Sequence, residues 1–266
     1  MERSLAESAE AAVMISVAQN VAVVAAAVLG SLLFMLGLNR VWSWEKRRPH
    51  NDLIGWQLSV LGTTYAVILG FMFYTVWTSF GEADLNVDRE ANTVIDIYRL
   101  ANGMPEPQRT QLQSFARSYV NAVISQEWPQ MAKGTVAEQS SGFDQEMWKT
   151  VMSVRATSPT EVNAQGGALS QLSLLMQHEL TRKRQSTARL PGMLWCVLLV
   201  GGTLTIVSAC LFGTESVKLQ GLHVFSISLL VSLSLVAIAN IHRPFHGVIH
   251  IGDDAFRRVQ QSMQGP

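Results

Sequence analysis

Residues 53–80 have the sequence LIGWQLSVLGTTYAVILGFMFYTVWTSF, an apolar run without Asp, Glu, Lys or Arg. A helix of about 20 residues is long enough to cross a hydrocarbon core of about 30 Å. This run is therefore predicted to be a membrane-spanning helix. Residues 13–38, 191–213 and 219–241 are also long enough and contain no charged residue. We predict an all-α integral membrane protein with four transmembrane helices in two pairs and a helical soluble domain between spans 2 and 3.

The composition agrees with a membrane protein. Mean hydropathy is +0.19, charged residues make up 15% of the chain, and the formal net charge is +0. The lipid bilayer is the expected partner. Nucleic acid is not expected as a partner, because the chain has no surplus of basic residues. The first apolar stretch is longer than a signal-peptide core and lacks its basic start, so we expect it to remain in the mature protein.

The segment between the two pairs has a strong helical pattern. Apolar residues recur at steps of four and three, the spacing of one narrow helical stripe: Ala83, Val87, Ala91, Val94, Tyr98 and Ala101. We predict that this helix continues from the second span and that Gly103, Pro105 and Pro107 end it. A return helix is then marked by Leu112, Phe115, Tyr119 and Val123.

Two further helices are predicted before the third span. A short one holds Met147 and Val151, and a longer one starts at Ser158, where a capping box with Glu161 is expected. The expected domains are residues 13–80 (first transmembrane pair), 81–190 (helical extramembrane domain), 191–241 (second pair) and 242–266 (C-terminal tail).

The charges flanking the spans conflict over membrane orientation. The first loop carries Arg40, Lys46, Arg47 and Arg48, which favours a cytoplasmic loop. Basic residues on the other side of the membrane favour the opposite orientation; they are Arg182, Lys183, Arg184, Arg189, Arg243, Arg257 and Arg258. We predict a cytoplasmic middle domain and cytoplasmic termini.

Small residues form a ridge on the second span. Gly62, Ala66 and Gly70 recur at intervals of four, which lets another helix approach closely. We interpret the ridge as a helix-packing surface, within one chain or between subunits, although close approach to a permeating ligand would use the same residues. The third span has a comparable ridge, which is a candidate partner; it consists of Gly201, Thr205 and Ala209.

No pattern typical of an enzyme is present, and neither a catalytic residue nor a cofactor is predicted. His242, His246 and His250 have the spacing of metal ligands on one helical face, but Pro244 and Gly247 interrupt that helix, so no metal site is predicted. Cys196 and Cys210 lie on one apolar helix, roughly 20 Å apart at about 1.5 Å per residue, and cannot form a disulfide within the chain.

Several short motifs, taken in order, resemble the bestrophin-like membrane family, a largely bacterial group named for its resemblance to bestrophin channels. The motifs cover most of the chain. They are the run from Gly62 through Gly70 to Trp77, Glu90-Ala91, Tyr119, Glu127-Trp128-Pro129, Arg189-Leu190-Pro191 with Trp195, and Arg243-Pro244-Phe245 with Gly247. The resemblance implies a multi-pass protein of the cell membrane, with the bacterial inner membrane as the expected location.

Within these motifs, Glu127-Trp128-Pro129 is predicted to be structural. We expect Pro129 to end the return helix, Trp128 to pack against the projecting helix, and Glu127 to pair with a nearby base or cap a backbone donor.

A more distant resemblance to bestrophins themselves rests on Leu69-Gly70-Phe71 and on Pro244-Phe245 followed by Asp253-Asp254. Bestrophins are pentameric ion channels. The resemblance implies a homo-oligomer that conducts inorganic ions, with the second span around the axis and Thr63, Val67 and Phe71 facing it. Thr63 and Val67 are smaller than the bulky bestrophin residues, and the acidic run is reduced to two aspartates, which argues against calcium gating. The alternative is a non-conducting membrane scaffold or sensor whose soluble helices bind a partner.

Overall fold

The computed structural model describes residues 2–135 and 142–264, with side chains from Val17 onward. All regular secondary structure in these residues is helical. The helices are α1 (Glu2–Val41), α2 (Trp44–Arg47), α3 (Asn51–Leu100), α4 (Gln108–Ala122), α5 (Trp128–Ala132), α6 (Phe143–Met152), α7 (Pro159–Thr187), α8 (Gly192–Leu211), α9 (Val217–Ile241) and α10 (Asp254–Gln264). A π-helical turn over Val123–Glu127 joins α4 to α5.

The described residues contain four helices that are long and apolar enough to cross a membrane. They lie within Val17–Val41, Trp44–Gly103, Gly192–Leu211 and Val217–Ile241. The all-helical fold class and the four candidate spans predicted from the sequence are therefore confirmed. The prediction that the second span continues into the next helix is also confirmed, because α3 runs without interruption from Asn51 to Leu100.

The chain divides into two compact units. Unit 1 comprises residues up to 78 together with 189–242, and unit 2 comprises 79–188 together with residues from 243 onward.

In unit 1, helices α1, α8 and α9 pack on one another. The amide of Asn20 on α1 donates a hydrogen bond to the Asn240 side chain on α9 at 3.0 Å. Helix α3 joins this group through Tyr65, whose hydroxyl donates to the Leu198 carbonyl at 2.9 Å. A Cβ atom at Gly201 would lie only 2.6 Å from the Tyr65 ring. The missing side chain at Gly201 therefore makes room for an aromatic ring rather than for the small-residue ridge of α3.

One end of unit 1 is fastened by Arg47, which is completely buried. Its guanidinium donates to the Cys210 carbonyl at 2.9 Å and to the side chain of Asn39. The Cys210 carbonyl lies in the last turn of α8, where the helix dipole favours a positive charge. Asn51 bonds both the carbonyl and the N–H of Gly213, at 2.7 and 2.9 Å. These contacts tie the loop before α3 to the loop after α8.

Unit 2 is built around the apolar stripe predicted on α3. The side chains of Ala83, Val87, Ala91, Val94 and Ala101 are all at most 2% exposed, and Tyr98 packs at the edge of the same core. Leu112, Tyr119 and Val123 on the return helix are completely buried, as are Leu172 and Leu175 on α7. The predicted capping box of α7 is confirmed, with Ser158 and Glu161 bonding each other's backbone N–H groups.

The C-terminal residues 243–264 belong to unit 2, although the sequence alone suggests a separate tail. Helix α10 places Ala255, Phe256, Val259 and Met263 on one face, and all four side chains are buried. Its charged residues lie on the other face, with Arg258 bonding Asp88 at 3.0 Å. This amphipathic pattern, which repeats at helical spacing, explains why the segment packs onto the domain.

We predict that Gly201→Leu lowers the thermal stability of the purified protein markedly, because any Cβ at this position meets the ring of Tyr65. Gly30→Leu is the control, because no atom lies within 4 Å of the corresponding Cβ on α1. Equal melting temperatures for the two variants would show that Tyr65 does not pack against α8 as described.

Candidate functional site

The membrane part of α3 has two opposite faces. Ile54, Tyr65 and Val76 recur every eleven residues, which is three helical turns, and their side chains are at most 7% exposed. The opposite face, at about 100° per residue, carries an exposed and almost wholly apolar stripe. The stripe contains Trp56, Val60, Thr63, Val67, Phe71 and Tyr74.

The three candidate pore-lining residues lie on this stripe. Val67 is 54% and Phe71 69% exposed, and Thr63 is also exposed. In the part of the chain that the structure describes, they face no other helix. These three residues present an apolar surface with one hydroxyl, that of Thr63, along a single helix.

The small-residue ridge lies beside the stripe, on the adjacent side of α3. A Cβ at Gly62 or Gly70 would have no atom within 4 Å, and Ala66 is exposed. The ridge of α8, which was a candidate partner, does not meet it, since Gly201 packs against Tyr65 instead. The ridge is available to another molecule rather than to a helix described in this chain.

A second site is the buried ionic cluster of unit 2, centred on Arg182. The Arg182 side chain is fully buried and binds Glu90 through two bonds, Nε to Oε2 at 2.8 Å and Nη2 to Oε1 at 3.0 Å. It also donates to Glu127 at 2.5 Å. The hydroxyl of Tyr119 donates to Glu90 at 2.6 Å. The guanidinium lies 5.9 Å from the centre of the Phe256 ring on α10.

The two carboxylates of the cluster are held unequally. Glu90 receives two guanidinium N–H bonds and the Tyr119 hydroxyl. Among the described residues, Oε1 of Glu127 has no hydrogen-bond partner, and it lies 4.0 Å from the Lys183 ammonium. Burial raises the pKa of Glu127 above its ordinary value of 4.5, although the charge of Arg182 opposes this. Burial alone would lower the pKa of Arg182, but the Glu90 carboxylate and its other partners raise it above its ordinary value. The Arg182 guanidinium thus binds both carboxylates, with two hydrogen bonds to Glu90 and one to Glu127.

The π-helical turn explains how Glu127 reaches Arg182. One extra residue per turn shifts the side chains after Val123, and such turns are often found at functional sites. The expected pairing of Glu127 with a base is confirmed by its bond to Arg182.

Of the other two expectations for this motif, the one for Pro129 differs from the structure. Pro129 does not end the return helix, because it occupies the first turn of α5, where a missing N–H costs nothing. Trp128 packs against Phe245 and Phe256, both at 5.7 Å between ring centres, and donates to the Ile251 carbonyl at 3.3 Å. These partners belong to the C-terminal segment, and Trp128 shares one buried apolar cluster with the projecting helix α3.

The remaining motif residues have separate positions. Pro191 is the N-cap of α8, and Arg189 is exposed. Pro244 and Phe245 are buried in unit 2, where the Pro244 carbonyl accepts from the Ile251 N–H at 2.8 Å. Asp253 binds Arg257 at 2.8 Å.

The three histidines each point to a different backbone carbonyl. Nδ1 of His242 lies against Ala239, that of His246 against Ala132, and that of His250 against Gly247. The described residues contain no group of three His, Cys, Asp or Glu side chains placed to hold a metal ion. Cys196 is exposed and Cys210 is buried, and neither forms a disulfide.

Arg182 is the central residue that the sequence did not identify. In the sequence, Arg182 is notable only as one of the basic residues that flank the membrane spans and bear on orientation. Its position on the buried face of α7, three residues after Glu179 and seven after Leu175, is the signal that could have marked it as an interior charge.

We predict that Arg182→Met destabilises the folded protein by about 3–5 kcal/mol, because Glu90 and Glu127 would remain buried without their counter-charge. Arg184→Met is the matched control, since Arg184 is exposed on the same helix. Adding Glu90→Gln and Glu127→Gln to Arg182→Met should recover much of the loss. Thermal unfolding of the purified variants measures all three effects, and an unaltered melting temperature in Arg182→Met would contradict the cluster.

The raised pKa of Glu127 predicts a pH-dependent stability. A carboxyl group whose pKa is higher in the folded than in the unfolded state stabilises most below the unfolded value, and this contribution is lost as pH rises through the folded value. The melting temperature of the wild type, minus that of Glu127→Gln, should therefore decrease as pH rises from about 4.5, the ordinary value. A difference that grows over this pH range would mean that Glu127 has a lowered pKa.

Comparison with known proteins relates the fold to a family. A family model for the Bestrophin-like domain matches residues 24–256. No curated protein sequence matches the chain.

Solved structures share the fold at low sequence identity. A crystal structure of a membrane protein is 15% identical, with a TM-score of 0.70, and the match covers 91% of this chain and 99% of that one. A bacterial bestrophin homologue from Klebsiella pneumoniae, crystallised with a point mutation, is 13% identical, with a TM-score of 0.66 and coverage of 89% and 99%. Another structure of the Klebsiella pneumoniae homologue has a TM-score of 0.61 at 13% identity and covers 89% and 96%. The chain belongs to the Bestrophin-like family and has the bestrophin fold.

Proposed function

We propose that the protein is a homo-oligomeric ion channel of the cell membrane, in which α3 lines the pore and Thr63, Val67 and Phe71 face the axis. The observation that carries this proposal is the exposed apolar stripe on α3, opposite the face that Tyr65 anchors. A ring of apolar side chains can control conduction by wetting and dewetting, without a fixed charge. Phe71 is the largest of the three residues and would form the constriction.

The small-residue ridge supports an oligomer. Because the ridge is about 100° around the helix from the stripe, the stripe can face an axis while Gly62 and Gly70 meet a neighbouring subunit. Neither glycine has a neighbour within 4 Å of an added Cβ. The resemblance to bestrophins suggests five subunits. Calcium gating is not proposed, since Asp253 is already paired with Arg257.

We propose that unit 2 is cytoplasmic and that the membrane is the bacterial inner membrane. On the unit 2 side, four Lys and Arg residues precede the third span and three follow the fourth, whereas the first loop carries four. The larger number of basic residues beside the spans supports a cytoplasmic unit 2.

The test is the conductance of purified protein reconstituted in planar bilayers. Phe71→Ala should increase single-channel conductance, because a smaller side chain widens the constriction and favours its hydration, whereas Phe71→Trp should decrease it. Phe225→Ala is the control, because Phe225 is a partly exposed aromatic residue on α9 rather than on α3. Its conductance should equal that of the wild type.

The alternative is a membrane scaffold or sensor that binds a partner through its soluble helices. Unit 2 exposes apolar side chains that such a partner could cover, including Trp148, Met152 and Leu180. No current from folded wild-type protein or from either Phe71 variant would favour this alternative over the channel.

A further inference from the structure

Unit 1 contains a groove on the surface of its membrane helices. The groove has a volume of about 670 Å³ and is lined by residues of α3, of the loop after α8, and of α9. This volume is within the range of about 300–1,000 Å³ typical of small-molecule sites. Its walls are mainly apolar, with Leu58, Phe212 and Leu222 among them, and Gly55 leaves room beside the Phe212 ring.

Two polar side chains in the groove lack hydrogen-bond partners. The ring nitrogens of His223 and the hydroxyl of Ser59 form no hydrogen bond within the described part of the chain, and both side chains are exposed. Both belong to helices long and apolar enough to span a membrane. A polar group without a partner is unfavourable in hydrocarbon. The two groups therefore point to a ligand that offers polar atoms as well as an apolar chain.

The end of unit 1 next to the groove has an excess of positive charge. Residues 40–52 and 212–218 together contain five Lys and Arg side chains and three carboxylates. Arg47 is buried and Arg48 is paired with Glu215, which leaves three cations and two carboxylates, namely Arg40, Lys46, Lys218, Glu45 and Asp52. The two loops are joined by the Arg48–Glu215 ion pair at 3.1 Å. Lys218 is exposed, has no ionic partner in the described residues, and directly precedes Leu219 in the groove wall. Lys218 does not line the groove itself, but its ammonium group is available to an anion beside this wall.

We propose that this groove is a binding site for an anionic phospholipid. The acyl chain would lie against Leu58, Phe212 and Leu222, and the ester and phosphate oxygens would meet Ser59, His223 and Lys218. Basic pockets between membrane helices are known to bind anionic lipid head groups. The site is independent of conduction, since none of its residues lies on the proposed pore stripe.

The experiment is native mass spectrometry of the full-length protein, released from detergent with added phosphatidylglycerol or phosphatidylcholine of identical acyl chains. The wild type should retain phosphatidylglycerol at lower lipid concentrations than phosphatidylcholine. Lys218→Gln should weaken phosphatidylglycerol binding about fivefold, the contribution of one basic residue near an anionic surface. Arg40→Gln is the matched control, because Arg40 is an exposed cation on α1, which contributes no residue to the groove, whereas Lys218 adjoins the wall residue Leu219.

A second variant tests the apolar part of the site. Ser59→Trp fills the groove from an exposed position and should reduce the binding of both lipids, while the melting temperature shows that the variant is folded. Equal binding of the two lipids by the wild type would overturn the proposal, as would equal effects of Lys218→Gln and Arg40→Gln. If Ser59→Trp left lipid binding unchanged but altered the oligomer mass, the groove would be covered by a second copy of the chain and the proposal would be wrong.

Discussion

The buried guanidinium of Arg182 is the constraint on which unit 2 depends. An unpaired charge in a protein interior is strongly unfavourable, so carboxylates must be brought to it from other helices. Glu90 comes from α3 and Glu127 from the π-helical turn, while Phe256 of α10 covers the guanidinium. A single side chain of α7 therefore fixes the positions of α3, of the π-helical turn after α4 and of α10. The same requirement gives a reason for the π turn, because Glu127 must be directed toward Arg182.

Unit 1 depends on contacts of a different kind. Its helices are joined by a small apolar cluster, by polar contacts and by the Tyr65 side chain, which packs against Gly201 and Gly202. Arg47 closes one end by bonding a carbonyl in the last turn of α8. Since Tyr65 occupies one face of α3, the opposite face is left free, and the exposed stripe that supports the channel proposal is a consequence of this contact.

Local patterns predicted most of the helices, whereas the long-range polar contacts required the structure. The stripe from Ala83 to Ala101 and the capping box at Ser158 were recognisable because helix periodicity and caps depend on residues close in sequence. The partners of Glu127 and Trp128 could not be recognised in the same way. Arg182 and Phe256 are distant from them in sequence, and no local pattern relates the two pairs. The prediction that Pro129 ends the return helix is wrong for a related reason. A proline is accepted in the first turn of a new helix, and a π-helical turn has no clear sequence pattern.

The candidate site, too, could be predicted from the sequence only where it depends on helix periodicity. The sequence placed Thr63, Val67 and Phe71 on one side of a helix, but only the structure shows that Tyr65 and Val76 occupy the other side. It also shows that Gly62 and Gly70 meet no helix of the described chain.

The central claim is that the exposed face of α3 borders water inside an oligomer. It is tested most directly by introducing Val67→Cys into a protein with Cys196→Ser and Cys210→Ser, reconstituted in lipid vesicles, and treating it with a charged thiol reagent that does not enter the bilayer. Leu230→Cys, on an exposed position of α9, is the comparison. The account predicts modification of the cysteine at position 67 and none at position 230. A position 67 that remains unmodified while the protein is folded and oligomeric would contradict it.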